Sequence, residues 1–226
     1  MADKTILIIA AHPDDELLGC AGTVCKYIEQ GYKAVSVILG EGMTSRGESF
    51  RSKLKELQGH AQLANKTIGI KTVHFESFPD NQFDSRPLLE IIKVVEKYVA
   101  KYKPSIIFTH FDGDLNVDHY QTFQAVMTAC RPQPGFDHPD IYCFEVPSST
   151  DYNDIRQETA FVANVYEDIS ATIDLKIKAL AHYKTEMRDY PHSRSLEAIR
   201  ILAQYRGVKV GLKFAEAFRL VRKIVR

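Results

Sequence analysis

Apolar residues gather in short runs along this chain, each closed by a polar, turn-forming stretch; between the runs lie longer segments where apolar residues recur every three to four positions. Short closed runs read as strands buried on both faces, and the longer periodic segments read as amphipathic helices. The first strand is Thr5 to Ala10, followed by a helix with Leu17, Ala21, Val24 and Ile28 at helical spacing and Gly31 at its end. The pattern then predicts strand 33–39, helix 50–66, strand 72–75 and helix 86–101. Strand 105–109, helix 120–130 and strand 140–146 follow. Beyond these the pattern loosens into a strand at 159–166 and helices at 169–183 and 196–205. Such alternation predicts an α/β fold, a Rossmann-like, doubly wound, mostly parallel sheet. There is no repeat, linker or low-complexity stretch, so residues 1–226 are expected to form a single domain.

Two of the predicted strands end alike. The first empties into His12-Pro13-Asp14-Asp15-Glu16, one histidine and three acids. The strand at 105–109 empties into His110-Phe111-Asp112-Gly113-Asp114-Leu115-Asn116-Val117-Asp118-His119. Charge of this density beside a core is costly unless a cation or a substrate offsets it. A helix cap needs only one acid. In a sheet of order 3-2-1-4-5 the first and fourth strands flank the point where the order reverses, and ligands bind there, at the carboxyl ends of the strands. His12 and Asp15 can reach one metal and leave Asp14 free to act on water. A third ligand from the second loop completes a His/Asp/His set with an open position, which is the catalytic kind of zinc site.

Charge and cysteine content narrow the class. Lys plus Arg and Asp plus Glu number 29 each, so no net field favours nucleic acid or a membrane surface. The basic tail 219–226 reads as the solvated face of a last helix or strand. No signal peptide or membrane-spanning run is visible, and the expected location is cytoplasmic. Cys20, Cys25, Cys130 and Cys143 lack metal spacing, and Cys20 and Cys25 are expected to be buried free thiols.

The Ala-His-Pro-Asp-Asp-Glu run, with Asn116-Val117-Asp118-His119 some hundred residues later, resembles the PIG-L/LmbE-like zinc N-deacetylases. Weaker matches are Thr44-Ser45-Arg46-Gly47, Asn164-Val165-Tyr166 with Asp168-Ile169-Ser170, Tyr190-Pro191-His192-Ser193-Arg194-Ser195 and Ala215-Glu216-Ala217-Phe218. The resemblance implies a zinc-dependent hydrolase that removes an N-acetyl group from an N-acetylated sugar or sugar conjugate. It implies His12, Asp15 and His119 as metal ligands and Asp14 as general base. Zinc is the implied metal, with another divalent ion left open. Many members assemble, so homo-oligomerisation is left open too.

One departure stands out. Several members carry histidine where this chain has Asn116, and an amide can donate a hydrogen bond but cannot pass a proton through a reaction. The vacant role falls to His192 or His110, and His192 is expected to point into the pocket as acid or oxyanion stabiliser. Arg46, His110, Asn116 and Arg194 are the candidates for substrate contacts. Asp118 is expected behind His119 as the carboxylate that orients a ligating imidazole, or else as a plain helix cap. Two other readings stay open: a zinc amidase acting on a non-sugar or thiol-conjugate amide, and a Rossmann-type nucleotide-binding module. The second is disfavoured, because Gly19-Cys20-Ala21-Gly22 lacks the G-x-G-x-x-G pattern and acids stand where a pyrophosphate would sit.

Overall fold

The computed structural model describes residues 4–42, 50–136, 138–154, 156 and 158–225. The elements run β1 (Thr5–Ala10), α1 (Asp15–Glu29), β2 (Lys33–Gly40), α2 (Phe50–Thr67), β3 (Thr72–Phe78), a 3₁₀ turn (Phe83–Ser85), α3 (Leu88–Tyr102), β4 (Ile106–His110), α4 (Val117–Ala129) and β5 (Asp140–Phe144). They continue through β6 (Val165–Asp168), α5 (Ile173–Leu180), α6 (Leu196–Val208) and β7 (Ala215–Arg222). The strands form one seven-stranded sheet of order β3-β2-β1-β4-β5-β7-β6. The five strands from β3 to β5 are parallel, and β7 runs antiparallel to both β5 and β6. This is the doubly wound order expected from the chain, with an antiparallel edge added by the C-terminal part.

Alternation along β1 shows how the layers form. Ile6 and Ile8 pack with Leu17 and Val24 of α1, Leu57 of α2 and Leu180 of α5. Leu7 and Ile9 face the other way, onto Ile91 and Val95 of α3 and Val126 of α4. Each of these four strand side chains is fully buried, and burial of that kind stabilises by about 1.5–3 kcal/mol per side chain. A centrally placed strand covered on both faces is apolar on both, which is why β1 reads as a run from Ile6 to Ala10 and not as an alternation.

α1 lies close on the sheet and is broken. A Cβ at Gly19 would meet the ring of Phe144 at 2.3 Å, so only glycine permits this approach. At Cys20 the backbone leaves the helical region, with φ −145°. The main-chain N–H groups of Gly22 and Thr23, freed by the break, donate to the Glu216 carboxylate of β7 at 2.9 and 2.7 Å. Lys176 of α5 bonds Glu216 Oε1 at 2.6 Å and the carbonyl of Leu18 at 2.7 Å.

Several boundaries move from the sequence expectation. α4 begins at Val117, not near residue 120, so Asp118 and His119 stand in its first turn. The strand expected at 159–166 is the four-residue β6 at Val165–Asp168. The basic tail is largely β7, where Arg219 pairs with Asp112 at 2.9 Å and Arg222 donates to the Cys130 carbonyl. All four cysteines are free and buried. No helix among the described residues is long and apolar enough to cross a membrane.

Candidate metal and catalytic site

β1 and β4 lie side by side, so the loops at their carboxyl ends meet. The first loop turns tightly: the Asp15 carboxylate accepts the His12 main-chain N–H at 2.9 Å. In the second, Asn116 caps α4 by accepting the Asp118 N–H at 2.9 Å. This turns the first residues of α4 toward β1. Ligand atoms of His12, Asp15 and His119 then all lie within 4.8 Å of one another, and all three residues are buried by their neighbours. Asp15 Oδ2 stands 3.3 Å from both His12 Nδ1 and His119 Nε2.

The hydrogen-bond accounting tests whether a cation fits here. Asp15 Oδ1 and His119 Nε2 are buried without a hydrogen-bonding partner. Buried polar atoms are rarely left so. The outward nitrogens of both histidines are occupied by carboxylates. His12 Nε2 lies 2.8 Å from Asp118 Oδ2, with Asp80 Oδ1 at 3.2 Å. His119 Nδ1 lies 2.8 Å from Asp114 Oδ2. Carboxylates there fix both rings with His12 Nδ1 and His119 Nε2 turned toward Asp15, the arrangement a ligating histidine requires. Two imidazole nitrogens and one carboxylate are a zinc-type donor set.

Electrostatics agree. Burial lowers the pKa of His12, but its hydrogen bonds to Asp118 and Asp15 overcome this and raise it to about 10. Burial likewise works against His119, while the Asp15 charge and the Asp114 hydrogen bond raise it to about 9. Asp15, beside His119 and His110, is held well below the usual carboxylate range in spite of its burial. The carboxylates thus keep positive charge on the site when no metal supplies it.

Two further groupings reuse these histidines: His110 with Asp114 and His119, and His12 with Asp80 and Asp118. Neither is as well suited to a metal. His110 Nε2 accepts the Ala11 N–H at 2.8 Å, so its proton sits on Nδ1, which lies 4.0 Å from Asp114 and offers no lone pair. Asp118 already accepts main-chain N–H groups from Asn81 at 2.6 Å and Phe83 at 2.9 Å.

Beside the trio a cleft of about 130 Å³ is lined by His12, Pro13, Asp14, Gly42, Asp80, Asn81, Asn116, Glu186 and Arg194. Asp14 is itself buried, and burial pushes its carboxyl well above the usual range against the opposing charge of Arg194. Arg194 Nη1 bonds Asp14 Oδ2 at 2.9 Å, and Arg194 Nε is anchored on Ser148 Oγ at 2.7 Å. Asn116 Nδ2 donates to Asn81 Oδ1 at 3.0 Å at the cleft wall.

Three sequence expectations shift here. Asp118 stands behind His12, not His119, and Asp114 takes the place expected of it. His110 is fully buried behind the trio, its ring stacked 3.9 Å from that of His119, so it braces the ligands and does not face the cleft. His192 is not among the cleft-lining residues. Its Nδ1 accepts the Arg194 main-chain N–H at 3.0 Å, and its ring sits 6.3 Å from that of Tyr152. Arg46 lies outside the described residues. Sequence reasoning missed Asp80, Asn81, Asp114 and Glu186. Pro79-Asp80-Asn81, an acid in a turn at a strand's carboxyl end, was the available signal for two of them. Glu186 carries no local signal.

The sequence model of the PIG-L family, described as GlcNAc-PI de-N-acetylase, matches residues 7–130. The chain belongs to the PIG-L family. The match spans both strand-end loops and so His12, Asp15 and His119. The PIG-L chain is 28% identical to the uncharacterized deacetylase YaiS of Escherichia coli, over 80% of its own length and 91% of the relative's. It is 24% identical to the diacetylchitobiose deacetylase of Thermococcus kodakarensis, over 96% of its length and 83% of the relative's. Among solved structures it superposes on GalB, the 4-carboxy-2-hydroxymuconate hydratase of Pseudomonas putida, with a TM-score of 0.76 at 20% identity, covering 99% and 98% of the two chains. That likeness is one of fold alone. It joins this fold to an enzyme of another reaction, so chemistry must be argued from the site.

Proposed function

We propose that this PIG-L deacetylase hydrolyses the N-acetyl amide of an N-acetylated amino sugar or sugar conjugate, with His12, Asp15 and His119 holding zinc and Asp14 as general base. The observation that carries this reading is the pair of orphaned atoms, Asp15 Oδ1 and His119 Nε2, beside a buried carboxyl at the cleft wall. A divalent ion bound there lowers the pKa of water and polarises the amide carbonyl. Asp14, its proton affinity raised by burial, takes a proton from water as the oxygen attacks the acetyl carbon. The carbon–nitrogen bond breaks only when the nitrogen is protonated, since an amide anion is a very poor leaving group. Asn116 can donate a hydrogen bond but holds no transferable proton. Both transfers therefore fall to Asp14, which returns to the amine the proton it took from water, leaving acetate and a free amino sugar. Arg194 supplies a fixed guanidinium for the acetate product or a substrate hydroxyl. Arg46 is kept as a further substrate contact.

The test is amine release from a panel of N-acetylated sugars, glycosides, nucleotide sugars and inositol or malate conjugates, using chelated protein and protein reloaded with zinc, cobalt or magnesium. Release should require the metal. Asp14→Asn should keep metal stoichiometry and lose about 10²–10⁴-fold in rate, the usual scale of general-base catalysis. No amine from any substrate with any metal would refute the activity. Loss of metal from Asp14→Asn would refute the assignment of Asp14.

A further inference from the structure

Asp14 has a backbone that its residue type rarely adopts, with φ 110° and ψ −32°. This lies beyond even the left-handed helical basin that Asp visits in turns. Such a conformation persists only where its surroundings fix it. Both sides of Asp14 are fixed. Its carbonyl accepts the N–H groups of Leu17 and Leu18 at 3.0 and 2.9 Å, in the first turn of α1. Its own N–H donates to Glu16 Oε2 at 3.0 Å.

Glu16 is fully buried and does not line the cleft, so it is out of reach of a substrate held there. Its other oxygen, Oε1, accepts from Asn65 Nδ2 at 2.7 Å and from the hydroxyl of Tyr183. Asn65 is oriented in turn: its Oδ1 accepts from Ser36 Oγ at 2.7 Å, and its Nδ2 also donates to the Ala61 carbonyl at 2.9 Å. Asn65, Tyr183 and Ser36 are all completely buried. The carboxylate is thus held from α2, from β2 through Asn65, and from the segment after α5. Asn65 and Tyr183 both donate to Oε1 of Glu16, and Oε2 takes the N–H of the strained residue.

We propose that Glu16 is a positioning residue: through the Asp14 N–H it holds the Asp14 main chain in its positive-φ conformation, which aims the carboxyl into the cleft and onto Arg194. This rests on the reading of Asp14 as the base. Glutamine in place of Glu16 keeps the size and removes one acceptor. If its oxygen stays on the Asp14 N–H, its amide nitrogen faces the Asn65 amide, donor against donor. If Asn65 flips, it gives up the Ala61 carbonyl and the Ser36 hydroxyl loses its acceptor. Either the loop or the network gives way.

The experiment compares Glu16→Gln, Asp14→Asn and the parent protein for metal content, for kcat and KM on the N-acetylated sugar the parent hydrolyses, and for crystal structure. Glu16→Gln should keep its metal, keep KM within about threefold and lose about 10- to 100-fold in kcat, the range for outer residues that orient a reacting group. In its crystal structure Asp14 should leave positive φ and lose the 2.9 Å contact with Arg194. Unchanged kcat, or Asp14 still at φ near 110° with that contact intact, overturns the proposal. An active Asp14→Asn instead overturns the base assignment, so the two failures are distinct. Should Glu16→Gln not fold, Tyr183→Phe removes one donor from Oε1 and leaves the rest. It should lower kcat by about 3- to 10-fold with KM held, as a weaker disturbance of the same orientation, and unchanged kcat in that variant also overturns the proposal.

Discussion

Asp118→Asn is the substitution that most directly tests how the metal trio is held. In the parent protein the Asp118 carboxylate serves three donors: His12 Nε2 at 2.8 Å, the Asn81 N–H at 2.6 Å and the Phe83 N–H at 2.9 Å. An asparagine of the same shape has one acceptor oxygen. Its NH₂ group must face either His12 or a main-chain N–H, donor against donor. One hydrogen bond to a charged group is lost, worth about 1.5–3 kcal/mol, and a buried donor is left unpaired at about 1–3 kcal/mol. The two figures overlap, so about 3 kcal/mol is a reasonable total. For a chain of this size that lowers Tm by about 6–12 °C in the metal-free protein. Metal affinity should fall about 10- to 100-fold, because His12 loses the partner that fixes its tautomer and ring plane. Competition against a chromophoric chelator reads the affinity, and thermal unfolding with and without zinc reads the stability. Zinc affinity within twofold of the parent would refute the claim that Asp118 orients a ligand. Loss confined to Asp114→Asn would restore His119 as the only histidine so supported.

Metal binding should be strongly pH-dependent: with His12 at about 10 and His119 at about 9, both hold protons near neutrality, and a dication must displace them. Calorimetry in buffers of different ionisation enthalpy should find about two protons released per ion at pH 7, and none released would contradict the assignment. The metal-free protein follows the same pair: folded pKa values raised above 6.5 add stability that is complete below pH 6.5 and is lost as pH climbs through 9 to 10. His192→Ala should keep kcat within about threefold, because the ring lies outside the cleft lining; a loss beyond tenfold in kcat at constant KM would return it to the chemistry. Lys176→Met should cost about 3–5 kcal/mol in denaturant unfolding, since it strands the buried Glu216 carboxylate, and a loss below 1 kcal/mol would mean the pair is not desolvated as drawn.

The frame of the fold and the convergence of His12, Asp15 and His119 were legible because they rest on local signals. β1 and β4 are buried throughout, apolar from Ile6 to Ala10 and from Ile106 to Phe108, and each runs into a histidine and acids at its carboxyl end. Parallel order then brings those ends together with no knowledge of side-chain contacts. What escaped depends on contacts distant in sequence. Asp118 turns to His12 because the N–H groups of Asn81 and Phe83, in the loop after β3, draw its carboxylate that way. Nothing near residue 118 announces this. Asp114 is free to serve His119 because Thr150, after β5, donates to its other oxygen. His192 and Arg194 are two positions apart in one turn. Which of them reaches the cleft is decided by Ser148 and the Pro147 carbonyl, which anchor the arginine, and by Tyr152 beside the histidine. Helical periodicity could not find the break in α1, since apolar spacing continues across Cys20.

That break bears on the order in which the chain becomes whole. The N–H groups exposed at residues 22 and 23 find their acceptor in Glu216, almost two hundred positions later. A ribosome makes the His12–Glu16 loop long before it makes the strand bearing Glu216. Until that strand docks, the helix that carries Asp15 and Glu16 has two open donors where it bends. A nascent chain therefore carries His12, Asp15 and His119 long before the bend in α1 is closed, and the docking of β7 completes the frame that holds them.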